Sequence, residues 1–260
     1  MRKRWVRLLL LGLLVYTLTL VVQLPASWAL YWARGSVPHT VRWHGVEGTV
    51  WNPRIARLTV RLPGGPRVPA GPVAVDFHPA GLFTGHLGAG FRAELLGGEI
   101  HGQMAAGMGG KWRIPQIQGR LDLASLADVD SRIGLAEPRG HLLFAGKDLS
   151  GQQLPEQGSL RASLEGFQTA LLPTDGPVGE YALQAKVAGP GRLQGTVKTV
   201  KGRMLGIKGR FRLDLKGRRY RFDGESWASS VAPQAVQDVL SLLGPVHNGH
   251  VAIHRQGRFR

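Results

Sequence analysis

Apolar and polar residues alternate with a period of two along most of the chain after residue 40. Val41 and Trp43 alternate with Arg42 and His44, and residues 55–62 follow the same pattern with arginines between the apolar positions. Because successive side chains of a strand point to opposite faces of a sheet, this pattern predicts strands with one apolar and one polar face. Further short alternating runs, bounded by Gly or Pro, lie at 73–78, 90–95, 99–104, 118–123, 141–145, 159–164 and 180–187.

The clearest pair of strands lies near the C-terminus. Phe211 and Leu213 alternate with basic residues, and after Gly217 the phase flips, so that Tyr220 and Phe222 become the apolar positions. A phase flip at a Lys-Gly-Arg segment is typical of a hairpin turn. We therefore expect a hairpin with one apolar face and one strongly basic face.

Helical patterns are few in this part of the chain. Residues 123–129 fit a short turn of helix, and Pro233 to Leu243 fits a longer one, capped by Ser229 or Ser230 and ended by Gly244. Asn248 and Gly249 then turn the chain into a last strand at 250–253. The sequence therefore predicts a mainly β protein, an extended, mostly antiparallel, curved sheet with one short C-terminal helix.

The N-terminus has a different pattern. Residues 8–22 are uncharged and mostly Leu and Val, and no charged residue occurs until Arg34. This predicts one transmembrane helix at 8–28, after a basic cytoplasmic start at 1–7 and before an exported β domain at 34–260. A cleaved signal peptide is the alternative, with a site at 27–29, but the aromatic residues at 28–32 continue the apolar surface and favour an anchor. Representative anchor residues are Leu8, Leu14, Val22 and Trp28.

The formal net charge of +16 includes a basic strip, residues 186–222, with twelve Lys and Arg and one acid, Asp214. Such a strip indicates an anionic partner or simply a solvated outer face. Export disfavours nucleic acid, so we expect anionic lipid or an acidic protein instead. The candidate interaction residues are Arg210, Arg212, Lys216, Arg218, Arg219 and Arg221, together with the possible core anchors Trp43 and Trp51, which share one strand parity.

Patterns typical of catalysis or cofactor binding are weak. The chain has no cysteine, which excludes disulfides and thiolate metal sites. Residues 88–93 match the loose dinucleotide pattern without the strand and helix that it requires. His247, His250 and His254 straddle a turn and a strand, which does not form a helical ligand pair. We therefore expect no enzyme activity, no cofactor and no metal.

Two short motifs resemble the protein N family of the bacterial type II secretion system. One is Leu24-Pro25-Ala26 at the end of the apolar helix, and the other is the Gly-x-x-Gly-Thr-x-Trp segment at 45–51. The C-terminal sequence is also similar: a helix that starts at Pro233, then Leu-Gly, a polar-Gly turn and a closing strand. Asn52-Pro53 departs from the small polar residue and Gly that usually follow the Trp in the family.

This resemblance implies a single-pass protein of the bacterial inner membrane, with a cytoplasmic N-terminus and a periplasmic β domain. It implies an accessory subunit without catalytic activity, whose partners are other secretion subunits during export of folded proteins across the outer membrane. The alternative function is an envelope lipid-binding or lipid-transfer module. In that case the apolar sheet face would hold acyl chains, and the basic strip would contact headgroups.

Overall fold

The computed structural model describes residues 2–33, 40–61, 67–129, 131–172, 176–202 and 204–258. The helices are α1 (Arg2–Val22), α2 (Ala26–Ala33), α3 (Ser131–Gly134) and α4 (Gln234–Leu243), with 3₁₀ segments at Pro79–Thr84, Met108–Gly110 and Leu123–Asp128. The strands are β1 (Val41–Gly48), β2 (Pro53–Arg61), β3 (Arg67–His78), β4 (His86–Leu95), β5 (Gly98–Gly107), β6 (Trp112–Asp122), β7 (Arg139–Gly151), β8 (Pro155–Gln168), β9 (Gly179–Gly189), β10 (Arg192–Gly202), β11 (Leu205–Asp214), β12 (Arg219–Ala228), β13 (Val246–His247) and β14 (His250–Arg258).

All described strands belong to one sheet, and consecutive strands pair antiparallel from β1 and β2 through to β11 and β12. Strand β14 then pairs with β12, and the two-residue β13 covers only the first two residues of β14. This confirms the prediction of a mainly β, antiparallel protein with a short C-terminal helix. The strands run longer than the alternating segments because register continues through glycines that carry no hydropathy signal.

The registers place apolar side chains on one continuous face of the sheet. Phe211 lies opposite Phe222, and Leu213 lies opposite Tyr220. The accessible surface of the chain is 18233 Å², against about 11,000 Å² for a compact protein of this mass, and the exposed N-terminal helices contribute to the excess. Most described side chains of the apolar face are only half-buried, because no second layer among the described residues covers the length of the sheet.

The best-buried cluster lies where α4 packs across one end of the apolar face. Val178 and Val236 are fully buried there, and Leu172 and Ala232 are nearly so. The cluster also contacts the partly buried Leu205. The predicted helix is confirmed, but the predicted serine cap is wrong. Pro233 occupies the N-cap position and makes no side-chain capping bond, because its ring has no polar atom that could accept one.

The predicted helix at 8–28 is split in the structure. Helix α1 ends at Val22 and α2 begins at Ala26, because Pro25 disfavours a helical conformation at the residue before it. Pro25 instead forms an isolated β-bridge with Thr49. Of the representative anchor residues, Val22 and Trp28 are exposed, whereas the side chains of Leu8 and Leu14 lie outside the described part of the structure. Among the residues described, none of the helices combines the length and apolar character needed to cross a membrane.

Candidate functional site

The predicted basic hairpin is formed by β11 and β12. Arg212 lies directly opposite Arg221, and Arg210 lies opposite Asp223, so both arginines of β11 are on the polar face. The turn is closed by the carboxylate of Asp214, whose Oδ1 accepts a hydrogen bond from the Gly217 amide over 2.9 Å. The predicted hairpin, with an apolar face and a basic face, is therefore confirmed.

The six basic candidates of the hairpin divide between strands and turn. Four lie on the strands and two in the connecting turn, and all six side chains are exposed: Arg210 and Arg212 on β11, Arg219 and Arg221 on β12, and Lys216 and Arg218 in the turn. Arg218 has a φ of +50°, which directs the chain through the tight reversal. The turn pair and the strand residues thus form neighbouring but separate basic areas.

Two arginines outside the hairpin complete one of these areas: Arg192 belongs to the predicted basic strip, whereas Arg258 lies beyond it. Arg192 of β10 and Arg258 of β14 join Arg212, Arg219 and Arg221 around a surface cavity of about 680 Å³. We call this cavity the arginine groove. Arg192 and Arg258 are distant in sequence from the hairpin, and only the pairing of β10 and β14 with β11 and β12 brings them together.

The electrostatics of the arginine groove are strongly positive. Among the described residues that line it, Asp214 is the one acid. Arg221 is neutralised locally, since its Nε donates to Oδ2 of Asp223 over 2.7 Å. The hydrogen bond from Arg221, and then that from His254, lowers the pKa of the Asp223 carboxyl. Within the described residues, the other four arginines of the groove form no ion pair.

A second constellation joins the N-terminal helices to the sheet. The indole Nε1 of Trp51 donates to the carbonyl of Val21 over 3.1 Å, and the Val50 amide donates to the carbonyl of Leu24 over 2.8 Å. Ala26, the next residue after Pro25, is only 1% exposed. The Leu-Pro-Ala motif and the Gly-x-x-Gly-Thr-x-Trp motif are thus two halves of one contact, which we call the helix–sheet joint.

The expectation that Trp43 and Trp51 share a strand face is wrong. Trp43 lies on β1 opposite Leu58, whereas β1 ends at Gly48 and Trp51 lies in the following bend. Gly48 has a φ of +84°, and a Cβ there would overlap the carbonyl oxygen of Asn52. This conformation turns the chain out of the strand, so the period-two parity does not extend to Trp51.

The remaining sequence candidates occupy ordinary sheet positions. The dinucleotide-like segment 88–93 lies inside β4, between β3 and β5. His250 and His254 each lie within 3.5 Å of a carboxylate, those of Glu225 and Asp223. Among the described residues, no group of three potential metal ligands is found.

A family model connects this chain to known proteins. The model described as type II secretion system (T2SS), protein N, matches residues 39–254, which include the sheet from β1 to most of β14 and the sheet half of the helix–sheet joint. Neither a curated protein nor a solved structure matches the chain. Arg258 of the arginine groove lies just beyond the matched range.

Proposed function

The chain belongs to the protein N family of the type II secretion system, and from that premise we propose that it is an accessory inner-membrane subunit whose sheet contacts other subunits in the periplasm. Family membership makes it a component of the protein secretion apparatus of the bacterial envelope. The proposal adds an anchor at residues 8–28, a cytoplasmic N-terminus and a periplasmic sheet.

The observation that carries the proposal is the family match over 216 of the 260 residues. The exposed side chains of the N-terminal helices support the anchor. Leu9 is 72% exposed and Trp32 is 77% exposed, and clusters of exposed apolar side chains of this kind are typical of contact with lipid or another protein. The aromatic residues of α2 suit the boundary between lipid and water.

The helix–sheet joint supports a role for the helices in placing the sheet. Two hydrogen bonds and the buried Ala26 connect residues 21–26 to residues 49–51. An anchor joined in this way would restrict the sheet to a limited range of orientations beside the membrane. A flexible tether would leave the orientation of the sheet undefined.

The shape of the sheet supports a role in contacting other proteins. The fourteen strands of the described residues form a single layer that leaves both faces accessible over most of its length. Exposed sheet faces and edges are common protein-binding surfaces. The same open face makes the lipid-binding alternative testable, because acyl chains would have to occupy its apolar side.

Deletion of the gene tests the proposed function. We expect folded cargo proteins to accumulate in the periplasm of the deletion strain, and secretion to return when the gene is supplied in trans. Normal secretion in the deletion strain would contradict the proposal. Lipid that co-purifies with the chain from a strain with normal secretion would instead support the lipid-binding alternative.

A further inference from the structure

We propose that the arginine groove and the adjoining edge of β14 bind an extended, carboxylate-rich segment of a partner protein. The inference deepens the proposed function and rests on it, since it specifies the surface through which the sheet contacts another subunit. It draws on three features: the arrangement of the arginines, the open side of β14 and the distance from the helix–sheet joint.

The arginines of the groove carry more positive charge than the neighbouring acids offset. Arg212 lies opposite Arg221, and Arg219 lies opposite Arg258, in two cross-strand pairs that line the same cavity. Of these four arginines only Arg221 forms an ion pair in the described residues, with Asp223. Like charges directly opposite each other destabilise a sheet. Carboxylates bound between them would replace repulsion by charge-assisted hydrogen bonds, for which the guanidinium group is well suited.

The size of the groove favours an extended ligand. Its arginines come from four neighbouring strands, β10, β11, β12 and β14. They form two rows: Arg219 and Arg258 lie in one, and Arg212 and Arg221 lie two residues further along the strands. The rows are therefore about 6.6 Å apart, which is also the spacing of carboxylates on alternate residues of a chain that runs parallel to β14. A single phosphate would engage only part of the groove.

The edge of β14 offers the backbone groups that a polypeptide requires. Strand β13 pairs only with His250 and Val251 of β14. In the part of the chain that the structure describes, no strand pairs with the outer side of residues 252–258. An added strand would satisfy these backbone groups, as in other cases of strand addition to a sheet edge.

Charge favours an acidic strand over a second copy of this chain at the edge of β14. Residues 239–260 contain no Asp or Glu but include Arg255 and Arg258. A second copy of β14 would bring these arginines together, whereas an acidic strand would place carboxylates beside them.

The position of the groove disfavours membrane lipid. Strand β12 is eleven strands from β1, which corresponds to about 50 Å across the sheet. The helix–sheet joint lies beside β1, so a groove this far from the proposed anchor is better placed for a protein than for a headgroup of the same membrane.

The test measures binding of a labelled peptide to the full chain in detergent micelles. The probe is a fluorescein-labelled octapeptide of alternating Glu and Val, and the reference peptide has Gln in place of Glu. We expect the acidic peptide to bind at least about tenfold more tightly than the reference. We also expect Arg219→Gln with Arg258→Gln to weaken its binding about tenfold or more.

A matched control comes from the opposite part of the sheet. Arg61 of β2 lies opposite Arg67 of β3, which is another exposed cross-strand arginine pair. Arg61→Gln with Arg67→Gln removes the same charge and should change peptide affinity less than about twofold. Equal loss in both double variants would overturn the proposal, because binding would then depend on net charge alone. Equal thermal midpoints of all three proteins establish that the variants are folded.

Two further measurements distinguish strand addition at β14 from binding of lipid. Amide hydrogen exchange at residues 252–258 should slow when the acidic peptide binds, and unchanged exchange would overturn strand addition at β14. Vesicles of phosphatidylglycerol serve as the lipid probe. Groove-dependent vesicle binding without peptide binding would also overturn the proposal and identify a lipid site. These assays use purified components, so their failure would leave the secretion test of the proposed function unaffected.

Discussion

The indole nitrogen of Trp51 donates a hydrogen bond to the backbone carbonyl of Val21, 30 residues earlier in the chain, over 3.1 Å. Val21 lies in the last turn of α1, where backbone carbonyls lack a partner within the helix. The tryptophan therefore caps the helix from the sheet side. Together with the bond from the Val50 amide to Leu24, the bond to Val21 brings the Leu-Pro-Ala and Gly-x-x-Gly-Thr-x-Trp motifs into contact.

Trp51→Phe should loosen the helix–sheet joint without disturbing the sheet. The substitution keeps an aromatic ring but removes the donor to Val21, which costs about 1 kcal/mol. We expect exchange of the Val50 amide, which donates to Leu24, to accelerate about fivefold. Hydrogen exchange followed by NMR or mass spectrometry measures this effect.

Trp43→Phe is the matched control. Trp43 lies within β1 opposite Leu58, away from the last turn of α1. Exchange of the Val50 amide should therefore stay as in the unsubstituted chain. If Trp43→Phe accelerates it as much as Trp51→Phe does, the joint depends on general packing of β1 and not on the bond to Val21.

The strands were predictable from the sequence because alternation records which face each residue occupies. The hairpin of β11 and β12 is the best example. The alternation of Phe211 and Phe222 with basic residues, and its change of phase between them, predicted both the strand pairing and the position of the turn. The break at Gly48 was not predictable in the same way. Residues 46–51 continue in strand-forming residues, and the end of β1 at Gly48, where the backbone is left-handed, leaves no signal in that pattern.

The candidate site was predictable only where its residues are close in sequence. Arg212, Arg219 and Arg221 lie within one hairpin, so the sequence identified them as candidates; Arg192 was included only in the wider basic strip. Arg192 and Arg258 join them through pairing with other strands. Net charge and local pattern carry no information about such pairing, so the arginine groove required the structure.

A reporter fused after Arg34 should be active only in the periplasm. The prediction follows from the basic residues before Leu8 and the uncharged segment after Arg7. A second reporter that is active only in the cytoplasm, fused at the same position, is the control and should be inactive. The opposite pair of results would reverse the proposed topology, and N-terminal sequencing of the mature chain would show whether the segment is retained.

Gly119→Ala should destabilise the sheet by about 1–3 kcal/mol. Gly119 of β6 lies opposite Phe144 of β7. A Cβ at this glycine would lie 2.9 Å from Phe144 Cζ, from Ile100 Cγ1 and from the backbone oxygen of Glu99. The ring covers the glycine, so the new methyl group would force the ring and the neighbouring strand apart. Urea unfolding at neutral pH measures the loss.

Gly88→Ala is the control for that substitution. Gly88 is also in a strand, but a Cβ there would meet only His78 Cβ, at 3.8 Å. We expect this variant to be as stable as the unsubstituted chain, or more stable by about 0.5 kcal/mol, because alanine reduces the entropy of the unfolded state. Equal destabilisation of both variants would show that replacing a glycine in a strand, and not the contact with Phe144, causes the loss of stability.

Tyr181 should make stability fall as the pH rises from about 10 to about 12. Its hydroxyl donates to the Leu205 carbonyl over 3.1 Å, and its ring packs edge-on against Phe167. Burial raises the pKa of Tyr181 to about 12. In the unfolded chain the phenol ionises near pH 10, so the unfolded state loses this proton first and is favoured increasingly up to about pH 12.

Tyr181→Phe isolates this contribution, because lysines titrate in the same range. We expect a shallower decline of the unfolding free energy between pH 10 and 12, and loss of the latest-ionising phenol in absorbance at 295 nm. At neutral pH the variant should be about 1 kcal/mol less stable, since the bond to Leu205 is lost. Tyr220→Phe, on an exposed strand position, should keep both the steep decline and the late ionisation. An identical pH dependence in the two variants would show that the burial of Tyr181 in the folded chain is too slight to raise its pKa.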